Sequence, residues 1–194
     1  MKYLKKFDTE SDYNDYINSA IAVFPNVSLV SGTNTVHYKN ITDYSKMYLT
    51  FEAVTAGTVT VREIYENFEK QLSYSIDDGA SWNSITTSTT AFTIATLAVG
   101  EKVIVKGVNA SFYQNVFGGT AYRKVYGNIM SILYGDNFKG QTTLDPVGSN
   151  LRGIFANSRV VDAENLILPA TTLTDYCYSN MFDRCQSLEK APTV

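Results

Sequence analysis

Three observations predict a mainly β chain. Within the 194 residues, the middle of the sequence consists of short β-branched and aromatic runs separated by Gly- and Asp-containing breaks, the signature of antiparallel strands joined by tight turns. Tyrosine is over-represented, with 14 residues, and its large ring with a polar tip suits half-buried sheet faces and interfaces. Helical periodicity is confined to short stretches. The expected architecture is an N-terminal helix plus hairpin over residues 1–45, an antiparallel Ig-like β-sandwich over 46–127, and a short repeat solenoid over 128–194.

The N-terminal element follows from spacing. After Phe7, the residues Tyr13, Tyr16, Ile17 and Ala20 recur at i, i+3, i+4 and i+7, and Thr9 precedes Asp12 as a capping-box-like start. The helical stripe is built of tyrosine rather than leucine, which is weak for an autonomous core. Beyond it, "FPNVSLV", the polar "SGTN" and "TVHYK" read as two extended pieces joined by a turn. A unit of this size buries too little to stand alone and is expected to dock on a partner. Phe7, Tyr13, Tyr16, Ile17 and His37 are therefore the candidate assembly residues.

The sandwich rests on seven strand signals: "MYLTFEAV", "GTVTV", "QLSYSI", "SWNSI", "AFTIATL", "EKVIVKGV" and "RKVYG". Turn residues at Ala56-Gly57, Asp78-Gly79 and Val99-Gly100 separate them. The intervening "VREIYENFEKQL" is read as a charged strand end with an excursion. In "YSIDDGASWN", residues Ser75, Asp77, Gly79, Ser81 and Trp82 fall on S-x-D-x-G-x-[ST]-W, a pattern that resembles the Asp box of sialidase propellers and other carbohydrate-active proteins. Each of these positions serves a hairpin. Asp77 accepts bonds from turn amides, Gly79 takes positive φ, the serines tie the arms, and Trp82 buries beneath the turn. The box occurs once, without the blade period of a propeller, so Ser75, Asp77, Gly79 and Trp82 are expected to be structural.

In the C-terminal part, Ile154-Phe155, Ser158 and Val161 are echoed by Met181-Phe182, Cys185 and Leu188, a spacing of 27 residues. Each repeat is expected to offer a strand (Leu166-Ile167-Leu168), a turn at Pro169, and a short helix burying Leu173, Cys177, Met181 and Phe182. The run Leu166-Ile167-Leu168-Pro169-Ala170-Thr171-Thr172-Leu173, followed by Cys177-Tyr178, Met181-Phe182, Cys185, Ser187-Leu188 and Ala191-Pro192, resembles the BspA-like leucine-rich repeat of Bacteroidetes surface proteins. The resemblance implies a repeat core of Leu166, Leu168, Leu173, Cys177, Met181, Phe182 and Leu188. The N-terminal "KKFDTESDYNDYI", "PNVSL" and "NTVHY" resemble the shared N-terminal segment of structural proteins from crAss-like phages and related prophages of Bacteroidales. That resemblance implies a virion fibre or decoration subunit assembled in the host cytoplasm. Its partners would be capsid or other virion proteins bound through the N-terminus, a dimer or trimer of itself, and a host-surface glycan or protein. A bacterial surface adhesin and a carbohydrate-active enzyme are the alternatives.

Other chemistries find little support. A net charge of −3 gives no footprint for nucleic acid. No window reaches the roughly 18 apolar residues of a membrane span, and the N-terminal lysines are not followed by the apolar stretch of a secretory signal. The two cysteines are expected to be free thiols. His37 has no nucleophile motif beside it. Asp77-Asp78 and Asp162/Glu164 are the carboxylate pairs that imitate a glycosidase dyad, and they are read as turn caps and loop carboxylates. Asp136 and Asn137 lack the calcium-loop pattern, and the glycines of "FGGTAY" and "YGDNFKG" lack a phosphate-loop pattern. No catalytic residue, cofactor or metal is expected.

Overall fold

The computed structural model describes residues 2–6, 27–29, 35–39, 42–62, 70–144 and 150–192. The chain divides into two compact units, residues 1–43 and 44–194. In the first, strands β1 (Lys2–Lys6), β2 (Val27–Leu29) and β3 (Thr35–Lys39) form an antiparallel sheet in the order β1-β3-β2. The two extended pieces expected from sequence are β2 and β3. Strand β1 was not expected, because a lysine-rich pentapeptide carries no alternation that marks a buried face. The expected helix over residues 7–20 lies outside the described residues.

The second unit is mainly β, with strands in two sheets and, among the described residues, one short α-helix, consistent with a β-sandwich. All seven strand signals fold as strands: β4 (Leu49–Ala53), β5 (Gly57–Val61), β6 (Gln71–Ser75), β7 (Asn83–Thr86), β8 (Phe92–Leu97), β9 (Lys102–Gly107) and β11 (Arg123–Asn128). Three short ones join them, β10 (Phe117–Gly118), β12 (Val160–Asp162) and β13 (Leu166–Ile167). One sheet has the order β10-β5-β8, and the other β12-β11-β4-β9-β6-β7, with β13 also on β11. Alternation explains the core. Leu49, Phe51 and Ala53 of β4, Val103 and Val105 of β9, and Val125 of β11 point inward against Val59, Val61, Ile94 and Leu97 of the smaller sheet, all of them buried.

The larger sheet is mixed where an antiparallel one was expected. Strands β12 and β13 both run parallel to β11, pairing Arg123 with Val160 and Gly127 with Leu166. Parallel pairing requires a long crossover, here the stretch after Asn128 that holds the short helix α1 (Ser131–Tyr134). The chain from 128 onward thus returns to complete the sheet, and its buried Leu151, Ile154, Phe155 and Leu166 belong to the same core cluster as the strands.

Residues 150–163 and 177–190 form two stacked layers. Gly153, Phe155 and Asn157 donate N–H bonds to the carbonyls of Ser179, Met181 and Asp183, at 2.8, 3.0 and 2.8 Å. On the other side, Gln114 and Asn115 donate to the carbonyls of Arg152 and Gly153, at 2.7 and 2.8 Å. The 27-residue spacing is therefore physical: Phe155 stacks on Phe182 at 5.4 Å, and Ser158 lies 3.6 Å from the Cys185 thiol, 27 residues away. The backbone repeats too, with positive φ at Leu151 and Tyr178, Gly153 and Asn180, Asn157 and Arg184.

Those dihedrals correct one expectation. In place of a short helix burying Leu173, Cys177, Met181 and Phe182, the segment is a succession of turns. Positive φ at Tyr176, Tyr178 and Asn180 is incompatible with a right-handed helix. Met181 and Cys185 are buried, and Leu168, Cys177, Phe182 and Leu188 are partly buried against the core. Leu173 is 62 % exposed, because the chain there extends beside Thr143, with Thr172 bridged to it, instead of coiling its leucine inward.

Gly127, at φ +89° within β11, allows the Tyr48 carbonyl just ahead of β4 to approach; an added Cβ would lie 2.2 Å from that oxygen. Gly100, at φ +83°, has nothing within 4 Å. Gly127→Ala should therefore cost at least about 2 kcal/mol more than Gly100→Ala in a denaturant titration, since only the former adds a backbone clash to the left-handed strain. Equal costs would show that the β11 approach is not tight.

Candidate functional site

The outer face of the larger sheet carries the chemistry. Its register sets Ser73 of β6 beside Lys106 of β9 on one side and Ser84 of β7 on the other, while Ser75 faces Ile104. Between β6 and β7 lies the Asp-box turn. The Ser75 hydroxyl donates to Asp77 Oδ1 at 2.6 Å and accepts the Gly79 amide at 2.9 Å. The Ser81 amide and hydroxyl donate to the two Asp77 oxygens at 2.9 and 2.6 Å. Asp78 and Gly79 take positive φ, 55° and 90°. These bonds to the ionised form, Ser75 first and Ser81 next, hold the Asp77 carboxyl down at about 2. Both oxygens are thus engaged within the hairpin.

Trp82 leaves the turn with its indole under Gly79, 3.6 Å from where a Cβ would stand. It is only half-buried. Its ring is covered by the Lys106 ammonium, 4.0 Å from the centroid, and meets Tyr48 edge-on at 5.2 Å. Lys106 in turn donates to both oxygens of Asp136, at 2.8 and 3.0 Å, and Tyr48 Oη donates to Asp136 Oδ1 at 2.6 Å. Phe138 closes the cluster behind Tyr48 at 5.1 Å. Burial, then the hydrogen bond to the Asp136 carboxylate, pushes the Tyr48 phenol up to about 12, while Lys106 and then Tyr48 hold Asp136 below the usual carboxylate range. At neutral pH Tyr48 is therefore a protonated phenol and Asp136 a carboxylate, an arrangement fitted to hydrogen-bond and pack.

Further along the same face, Glu52 of β4 accepts from Lys124 at 3.1 Å and from Tyr126 Oη at 3.0 Å, and Tyr44 meets the Tyr126 ring edge-on at 5.5 Å. The face is therefore a band of tyrosine, tryptophan and paired charges.

The other candidate residues lie elsewhere. His37 stands on β3, opposite Leu4 and Ser28, while Phe7, Tyr13, Tyr16 and Ile17 lie outside the described residues. Asp162 accepts the Glu164 amide at 2.9 Å, and Lys190 from the following layer reaches Glu164 at 3.1 Å and Asp162 at 3.8 Å. This pair anchors one layer to the next. Cys177 and Cys185 are free thiols, Cys185 donating to the Phe155 carbonyl at 3.0 Å. Among the described residues, no group of three or more His, Cys, Asp or Glu is placed to hold a metal, and no helix is long and apolar enough to cross a membrane. Tyr48, Lys106 and Phe138 escaped sequence reasoning because they come from three separate segments. Asp136 was weighed only as a calcium ligand.

The Asp77 shift sets a pH prediction. An unfolded carboxyl titrates near 3.8 and the folded one at about 2, so the turn's contribution is complete above the unfolded value and lost as pH falls through that window. Asp77→Asn should remove this part of the acid limb in a pH series of thermal melts, leaving a smaller difference from wild type at pH about 2 than at pH about 5. A wild-type acid limb in the variant would assign it to other carboxylates. Compared with known proteins, the chain matches no family model, no curated protein and no solved structure.

Proposed function

We propose that the chain is a structural display protein of a phage particle: a capsid fibre or decoration subunit held by its N-terminal unit and presenting the larger body outward, without enzymatic activity. The observation that carries this reading is the division of the chain into a small three-stranded unit, residues 1–43, and a far larger body, residues 44–194. A three-stranded sheet of 13 paired residues is marginal alone and gains stability when a partner covers it. The resemblance of this segment to the N-terminal part of crAss-like phage structural proteins makes capsid or other virion proteins the partner. The body suits a rigid spacer. Its sheets and its 27-residue layers share one core, and the layers are read as a BspA-like leucine-rich-repeat segment on an Ig-like sandwich.

Its outer surfaces suit recognition of a host-surface glycan or protein. Many weak contacts, multiplied by display on a particle, give avidity through effective concentration. Just ahead of the 177–190 layer, Leu173 and Tyr176 are 62 % and 66 % exposed, an apolar patch that a second copy would cover in a dimer or trimer.

Two measurements test the reading. Deleting residues 1–43 should leave a cooperatively folding body by circular dichroism and abolish incorporation into particles; a truncated chain that still incorporates would sink the anchor assignment. The full chain should scatter light as a dimer or trimer, and a monomer persisting at high concentration would count against association through the exposed patch.

A further inference from the structure

Beside the Lys106 cluster, a groove of about 360 Å³ opens on the edge of the larger sheet. That volume is in the range of small-ligand sites. We propose that this groove is a saccharide-binding site, with the Ser73 and Ser84 hydroxyls and the Asp136 and Asn137 side chains meeting sugar hydroxyls and Val108 meeting the sugar's C–H face. The proposal rests on the display reading for its setting on a host surface, and it names the ligand class and the site.

The composition of the walls selects the ligand. The charged lining residues are Lys106 and Asp136, which neutralise each other at 2.8 Å, so the groove offers no net charge to capture a phosphate or another compact ion. What remains is groups that donate and accept at once, matched to ligand hydroxyls that do the same. Ser73 and Ser84 stand directly opposite across β6 and β7, and their hydroxyls share one 3.2 Å hydrogen bond, leaving each further capacity toward solvent. Asp136 is held in place by Lys106 and Tyr48 and yet is 66 % exposed; a carboxylate with four lone-pair sites retains acceptor capacity after three such bonds. Asn137 is exposed beside it.

The apolar wall is equally specific. Val108 is 76 % exposed, an unusual place for a valine flanked by polar groups. It is fixed there by its bridge to Tyr134, and Gly135 gives it room, a Cβ at that glycine lying 3.1 Å from Val108 Cγ2. A hexose presents the same division, hydroxyls at its rim and C–H groups on its face.

The test titrates the isotope-labelled full chain with glucose, galactose, N-acetylglucosamine and their β-linked disaccharides, and with triglycine as a peptide probe, following backbone amides by NMR. At least one sugar should shift the amides of Ser73, Ser84, Val108 and Asn137 at about 10 mM, a weak affinity normal for a single shallow site. Ser84→Ala should weaken that sugar about tenfold, the loss of one well-made hydrogen bond. Val108→Arg should abolish binding with an unchanged melting temperature. The proposal is overturned if no sugar shifts these amides, if binding survives Val108→Arg, or if triglycine occupies the groove more tightly than every sugar. Particle incorporation, scored by deleting residues 1–43, does not pass through the groove, so either idea can fail without the other.

Discussion

The body of this protein depends on a column of phenylalanine rings. Phe51 of the larger sheet meets Phe117 of the smaller one at 4.8 Å; Phe155 touches both, at 6.2 and 5.9 Å, and stacks on Phe182 at 5.4 Å. Offset and edge contacts of this kind add roughly 0.5–1.5 kcal/mol per pair to the burial itself. Their larger consequence is architectural. Phe155 is the ring that both sheets and the last layer share, so the layers of the C-terminal segment cannot peel away without opening the core between the sheets. The mixed character of the larger sheet follows, since the segment that brings Phe155 into the core also lays β12 and β13 beside β11.

Arg123 shows what this arrangement costs. It occupies an inward position of β11, fully buried, with its guanidinium 5.6 Å from the Phe51 ring and donating to the carbonyls of Ala121 and Phe117 at 3.1 and 3.2 Å. Nε has no hydrogen-bond partner, and desolvation lowers the group to about 10, so it stays charged at neutral pH. A buried cation satisfied by carbonyls and an aromatic face contributes less to stability than an apolar side chain of the same volume would. It does fix where the loop between β10 and β11 must run, because its acceptors are the Phe117 carbonyl of β10 and the Ala121 carbonyl of that loop.

The sequence made the strands of the body legible and left its closure hidden. Period-two alternation in residues 49–53, 57–61 and 102–107 is local information, and it located β4, β5 and β9. The 27-residue echo of Phe155 in Phe182 and of Ser158 in Cys185 was legible for the same reason. The conformation within each layer was not. Tyr176, Tyr178 and Arg184 are poor choices for positive φ by intrinsic preference, and the segment is held by local turn bonds and by a ladder to residues 150–157 that sequence does not display, so spacing that suits a helix folded as turns. The site was the least legible part. Its Asp-box turn is contiguous in sequence, but Tyr48, Lys106 and Asp136 converge only through the register of β4, β9 and the crossover after β11.

That convergence gives the Asp box a function one step removed from the one its pattern suggests. Both Asp77 oxygens are engaged within the hairpin, and the carboxylate is not among the residues that line the groove. What the hairpin delivers is Trp82. Its indole, wedged under the turn, provides the face on which the Lys106 ammonium rests, an interaction of roughly 0.5–2 kcal/mol for a partly desolvated pair. The ion pair with the exposed Asp136 adds less than about 1 kcal/mol, so the ring does more than the carboxylate to decide where the ammonium sits. Lys106 then orients Asp136, and Asp136 forms a wall of the groove. A change in the turn would therefore reach the groove through the position of a lysine, with no residue of the box touching the ligand.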